Sequence, residues 1–178
     1  LTCTNSRFIS CSTSSTNGGA IYFLNQKEEG KKCTISNCYF KQCHAGQNGG
    51  AVFFSQSKHE TSDILNCIFE SNNAGGTGAD LYANGQSISL QNCSFANKDS
   101  SIKGPLLVLQ NTCQNGFSWS NTITKCTFIY TSGSSANCVI QFLGGASLKP
   151  IAISGSCFLM DSSSMKYIDT KTPVTFID

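Results

Sequence analysis

The sequence predicts an all-β chain: a single-stranded parallel β-helix of about six coils, forming one domain over residues 1–178. Three observations carry this reading. First, a hexapeptide of the form apolar-x-Asn-Cys-x-Phe recurs as ISNCYF, ILNCIF, LQNCSF, ITKCTF and ISGSCF, ending at Phe40, Phe69, Phe95, Phe128 and Phe158. A weaker first copy, CTNSRF, ends at Phe8. Second, these phenylalanines step by 32, 29, 26, 33 and 30 residues, and an apolar run follows each of them about a dozen residues later. Third, no stretch keeps a helical period.

The elements of one coil follow in order. The hexapeptide is rich in Ile, Leu and Phe and reads as strand. The second runs are AIYF at 20–23, AVFF at 51–54, ADLY at 79–82, PLLVL at 105–109, CVIQF at 138–142 and a fainter MKYI at 165–168. Turn clusters separate them, at Ser12 to Asn17, Asn72 to Gly78, Ser132 to Asn137 and Asp161 to Ser164. Short strands at this period, without two-residue hairpin spacing, favour stacked coils with layers about 4.8 Å apart, so that six coils stand roughly 29 Å tall. Insertions such as Asn25 to Lys32 then leave the coil as loops. An antiparallel sandwich is the rival architecture.

Before two of the apolar runs stands a glycine pair, in NGGAIYF (Gly18, Gly19) and NGGAVFF (Gly49, Gly50). A worn copy, GTGADLY, keeps Gly76 and Gly78. These glycines read as turn pieces, because Gly accepts positive φ and lets stacked backbones approach. A phosphate cradle would open a helix and carry a lysine. Asn37, Asn66 and Asn92 precede the motif cysteine in consecutive coils. Asn tolerates a left-handed bend, and its amide can bond the equivalent amide one layer away, so the three predict a ladder. Asn92-Cys93-Ser94 is also the one N-glycosylation sequon.

The chain has 178 residues, a net charge of +2 and only 12% charged residues, which gives no electrostatic case for nucleic acid. No apolar run approaches the roughly 20 residues of a membrane-spanning helix. Eleven cysteines favour an oxidising, extracellular or cell-surface setting, and the odd count leaves at least one thiol over. Cys38, Cys67, Cys93 and Cys126 share one repeat position, and Cys11 and Cys43 share another. In-register parallel neighbours place Cβ atoms slightly too far apart for a relaxed disulfide, so part of this set is expected as buried thiols. Cys3, Cys33, Cys113, Cys138 and Cys157 lie off the repeat and read as clasps across loops or between chains.

GGAI at Gly18 to Ile21, GGAV at Gly49 to Val52 and FESN at Phe69 to Asn72 resemble the GGA(I/L/V) and FxxN tetrapeptides of chlamydial polymorphic outer-membrane proteins. Similar repeats occur in protist surface proteins. The resemblance covers mainly residues 1–82 and implies a right-handed parallel β-helix at a cell surface, acting in adhesion. It implies no outer-membrane translocator for this segment.

Cys33, Cys38, Cys43 and His44 have a C-x4-C-x4-C-H spacing without the knuckle that zinc sites favour, so no metal or other cofactor is expected. Pectin lyase-like enzymes share the β-helix and need carboxylates gathered on one face. Here Asp63, Glu70, Asp80, Asp99, Asp161 and Asp169 fall at different repeat phases. Glu28, Glu29, His59 and Glu60 read as loop residues, Trp119 with Phe117 reads as buried aromatic packing with a sugar platform as the alternative, and Thr-x-Thr does not recur in phase as a flat threonine array would.

The expected function is therefore a non-catalytic, extracellular structural or adhesive protein, with a glycan-binding or polysaccharide-cleaving β-helix as the alternative. A surface glycan or protein is the expected ligand. A chain opening at Leu1 and in motif residues reads as a segment of a longer repeat protein or a subunit that stacks end to end.

Overall fold

The computed structural model describes residues 1–25, 32–56, 61–85, 87–99, 101–102, 104–111, 120–131, 138–144, 151–160, 166–170 and 173–177. Every strand pairing among them is parallel and joins one coil to the next, so the chain is a β-solenoid.

Four faces make up the coil. The first carries seven strands, Thr2–Thr4, Thr34–Ser36, Thr61–Leu65, Ser87–Gln91, Thr122–Thr124, Ile151–Ser154 and Val174–Ile177. The second carries six, Arg7–Ile9, Tyr39–Lys41, Ile68–Glu70, Ser94–Asn97, Thr127–Tyr130 and Cys157–Met160. The third is short, with three strands, Ser12–Thr13, His44–Ala45 and Asn73–Ala74. The fourth has six, Ile21–Asn25, Val52–Gln56, Leu81–Asn84, Leu107–Asn111, Cys138–Gly144 and Lys166–Asp169. Among the described residues the number of layers thus depends on the face.

The recurring hexapeptide is two strands rather than one. Its Asn bends the chain, and the strand before it belongs to the first face while the strand carrying Phe belongs to the second. The bend is a single left-handed residue per coil: Asn5, Asn37, Asn66, Asn92 and Lys125 have φ of 51–54° and Gly155 has φ 54°. A second bend two residues after the Phe repeats the device at Ser10, Gln42 and Ser71, with φ of 51–53°. Left-handed backbone costs a non-glycine residue roughly 1–2 kcal/mol. Here each non-glycine bend donates its N–H to the next layer, as from Asn37 to the Leu65 carbonyl at 3.0 Å and from Gln42 to the Glu70 carbonyl at 3.0 Å. The ladder fixes the corners against that cost.

Inward side chains form columns. On the second face Phe8, Phe40, Phe69, Phe95, Phe128 and Phe158 stack with ring centroids 4.7–5.0 Å apart and planes within 11°. That spacing is the strand separation itself, so the repeat of Phe is a consequence of the layer height. On the first face the inward column runs Cys3, Ile35, Ile64, Leu90, Ile123, Ile153 and Phe176. The middle members are fully buried, each worth roughly 1.5–3 kcal/mol of apolar burial. Phe176, in the last described layer, is 65% exposed, whereas its column neighbour Ile153 is 2% exposed.

The glycine pairs divide their labour. The first of each pair takes the bend, Gly18 and Gly49 with φ of 67° and 65°, and Gly78 does so in the third copy with φ 70°. The second, Gly19 or Gly50, is a point of close approach to the backbone of the next coil. Gly76 donates its N–H to the Gln47 carbonyl of the preceding layer at 2.6 Å.

Candidate functional site

The asparagines sit at the exposed corner between the first two faces, one above another. Asn66 Nδ2 donates to Asn37 Oδ1 at 3.2 Å, and Asn92 Nδ2 donates to Asn66 Oδ1 at 2.9 Å. The nitrogen that a glycan would occupy on Asn92 is thus engaged in this ladder. Removing the middle rung has a defined expected cost. Asn66→Ala breaks both amide bonds and places alanine in left-handed backbone, so urea denaturation should show a loss of about 1–3 kcal/mol, with Asn66→Gly recovering part of it. Equal stabilities of wild type and Asn66→Ala would mean that the ladder contributes nothing.

Behind that corner stand the thiols. Cys38, Cys67, Cys93 and Cys126 form one inward column, each 2% exposed or less. Burial pushes Cys38 up to about 11, and thiol contacts to Cys126 and Cys67 raise Cys93 further above its ordinary range. Cys11 and Cys43 line the second bend, and burial pushes Cys43 up to about 11. Cys33 is buried with its N–H donated to Ser62 Oγ at 3.1 Å, and burial pushes its thiol up to about 12. Cys138 is buried within the fourth face, pushed up to about 11, and Cys157 is exposed on the second. Raised thiols are poor nucleophiles, so Cys33, Cys38, Cys43, Cys93 and Cys138 behave as core. Cys3, off the repeat in sequence, heads the first face's inward column. Cys113 lies outside the described residues, as do Glu28, Glu29, His59, Glu60, Phe117, Trp119 and Asp161.

The carboxylates do not converge. Asp63 pairs with Lys32 at 3.2 Å. Glu70 pairs with Lys41 at 3.2 Å and accepts from the Tyr39 hydroxyl at 2.7 Å, contacts that hold it below the usual range. Asp80, read from sequence as one of several scattered carboxylates, is buried in the column of Ala51 and Leu106. Asn72, the Asn of FESN, explains its place. Asn72 Nδ2 donates to Asp80 Oδ1 at 2.8 Å and to the Phe40 carbonyl at 3.2 Å, while Asn72 Oδ1 accepts from the Cys43 N–H at 2.8 Å. Asp80 Oδ2 has no partner among the described residues. Sequence reasoning missed this pair because an FxxN match does not say which way the Asn points. Among the described residues no three His, Cys, Asp or Glu side chains gather as metal ligands, and no helix is long and apolar enough to cross a membrane.

What the described residues do present is flat and repetitive. The outward positions of the first face form two rows. One runs Thr2, Thr34, Asp63, Ser89, Thr122, Ala152 and Thr175; the other runs Thr4, Ser36, Leu65, Gln91, Thr124, Ser154 and Ile177. Register therefore brings Thr2-x-Thr4, Thr34-x-Ser36 and Thr122-x-Thr124 onto one face, which a scan along the chain could not see because the intervening coils differ in length. On the fourth face Tyr22, Phe53 and Tyr82 stack outward with centroids 5.3 and 5.4 Å apart. Only Tyr22 is open, at 51% exposure, since Phe53 and Tyr82 are each 7% exposed.

No protein-family model, curated protein or solved structure matches this chain.

Proposed function

We propose that this chain is a non-catalytic structural and adhesive solenoid, displayed outside the cell, whose contact surface is the outward side of the first face. The observation that carries this is the pair of hydroxyl- and amide-rich rows held in register over seven strands. A rigid array of Thr, Ser and Gln side chains offers many weak hydrogen bonds to an extended polar ligand, so affinity builds by repetition rather than in one pocket. A surface glycan fits that chemistry. Tyr22 adds one exposed aromatic ring on the fourth face. Support for a passive role comes from the carboxylates, since Asp63 and Glu70 are ion-paired and Asp80 is buried. The GGA and FxxN tetrapeptides, with their likeness to surface adhesins, and the cysteine content favour the extracellular setting.

End-to-end association belongs to the same reading. The inward columns stay open at the first and last described layers, at half-buried Phe8 and exposed Phe176, so layers of this chain or of a second copy would extend them.

The test is retention of the folded chain on a panel of immobilised polysaccharides. The double substitution Thr34→Lys with Thr122→Lys places charge in both halves of the first face and should reduce retention at least about tenfold, whereas Ser94→Lys on the second face should leave it unchanged. Release of shortened products from an acidic polysaccharide in the presence of calcium would replace this reading with the cleaving alternative.

A further inference from the structure

Three members of the thiol column, Cys38, Cys67 and Cys93, share one relation to the layer beneath them. Cys67 Sγ donates to the Ile35 carbonyl at 3.7 Å and Cys93 Sγ to the Ile64 carbonyl at 3.4 Å. In each case the residue below is an aliphatic member of the first face's inward column. Cys38 repeats the contact on Cys3, with Sγ 3.7 Å from the Cys3 carbonyl. At that layer the aliphatic side chain is replaced by a thiol, and the two Sγ atoms lie 3.8 Å apart.

This pair escapes the geometric objection to bonding stacked cysteines. Cys3 is in register with Ile35, so Cys38 stands diagonally from it, across the bend at Asn37. In-register neighbours such as Cys67 and Cys93 hold their side chains side by side. Their thiols touch, but along parallel directions, whereas the diagonal pair brings Sγ atoms 3.8 Å apart from different positions on the coil, the approach a disulfide requires. Access differs as well: Cys3 is half-buried in the first layer, while Cys38, Cys67, Cys93 and Cys126 are shielded.

We infer that Cys3 and Cys38 form a disulfide that clasps the first coil to the second. With oxidised glutathione as oxidant, the Cys3 thiolate attacks one sulfur of that disulfide and its S–S bond breaks, releasing one glutathione thiolate. Cys38 then gives its proton to solvent and attacks the Cys3 sulfur, and the second glutathione leaves. Two thiols are oxidised and one glutathione disulfide is reduced to two glutathiones, so electrons and protons balance. Burial, which raises Cys38, makes the second step the slower one.

The experiment uses the full chain, reduced and then incubated with oxidised glutathione at pH 8, alkylated after unfolding and mapped by peptide mass spectrometry. The expected product joins the Cys3 and Cys38 peptides with a loss of two hydrogens and leaves Cys67, Cys93 and Cys126 alkylated. Cys38→Ser should stop at a stable Cys3–glutathione adduct. Cys3→Ser, at a position already half-open to solvent, should stay folded and leave Cys38 alkylated. A map linking Cys38 to Cys67, or Cys11 to Cys43 with Cys3 left as thiol or adduct, overturns the assignment. So does a wild-type chain that keeps both Cys3 and Cys38 as thiols.

Discussion

Gly50→Ala is expected to disrupt the second and third layers of the stack outright. A Cβ built on Gly50 lies 2.1 Å from the Ala79 carbonyl oxygen, 2.4 Å from the Asn73 carbonyl oxygen and 2.6 Å from the Asn73 carbonyl carbon. All three are backbone atoms of the next coil, and no side chain can rotate away to relieve them. The same backbone is pinned from both sides, by Gly50 N–H to the Gly78 carbonyl at 3.0 Å and by Asn73 N–H to the Cys43 carbonyl at 2.9 Å. Admitting one methyl group means parting two coils at the corner where the third face meets the fourth. The loss should exceed about 4 kcal/mol, the range in which a single substitution points to a specific steric or burial defect. Urea denaturation gives the magnitude, and hydrogen exchange should show protection lost first around residues 45–52 and 73–81. An alanine variant with wild-type stability would show that the coils are farther apart than this geometry requires.

Asp80→Asn is expected to act in the opposite direction and to depend on pH. Burial raises Asp80 from an ordinary 3.8 to about 7, against the smaller lowering effect of the Asn72 hydrogen bonds. The folded state therefore holds a proton that the unfolded chain releases between pH 4 and 7. Stability from this group is fully present below about pH 4, falls as pH rises through that window, and stays low above pH 7. Three pH units of separation correspond to about 4 kcal/mol. Asparagine keeps the oxygen that accepts from Asn72 and replaces the unpartnered carboxylate oxygen by a neutral amide group. At pH 8 the variant should be more stable than wild type by up to about 4 kcal/mol, and at pH 4 nearly equal to it. Denaturation curves at the two values decide the matter. A variant weaker than wild type at pH 8 would show that the charged carboxylate is itself stabilised in the fold.

What could be read from the sequence is what the layer height dictates. Phenylalanines that stack at the strand separation must recur once per coil, and a left-handed bend occurring once per coil favours Asn. The solenoid and the position of the Asn37, Asn66 and Asn92 corner were therefore visible in the spacing. Register was not. Thr34 and Thr122 share an outward row, yet they are separated by three coils of unequal length, so only the pairing shows it. The same holds for Cys3, which looks like a stray cysteine until it is placed in the column of Ile35. Ser10, Gln42, Ser71 and Lys125 take left-handed bends that no local preference announces, because hydrogen bonds to the neighbouring layer decide them. The glycine pair was legible as a corner. That its second member is constrained by a neighbouring coil rather than by its own φ required coordinates.

The direction of the hydrogen bonds has a mechanical consequence. Strands run across the axis of the stack, and every backbone bond between layers runs along it. A load applied between the two ends therefore meets one seam at a time instead of many bonds in shear. The coils should peel in sequence from an end, each freeing roughly 90–110 Å of extended chain for its 26–33 residues. Stretched in this way the molecule would lengthen in steps of one coil while the remaining layers keep their shape.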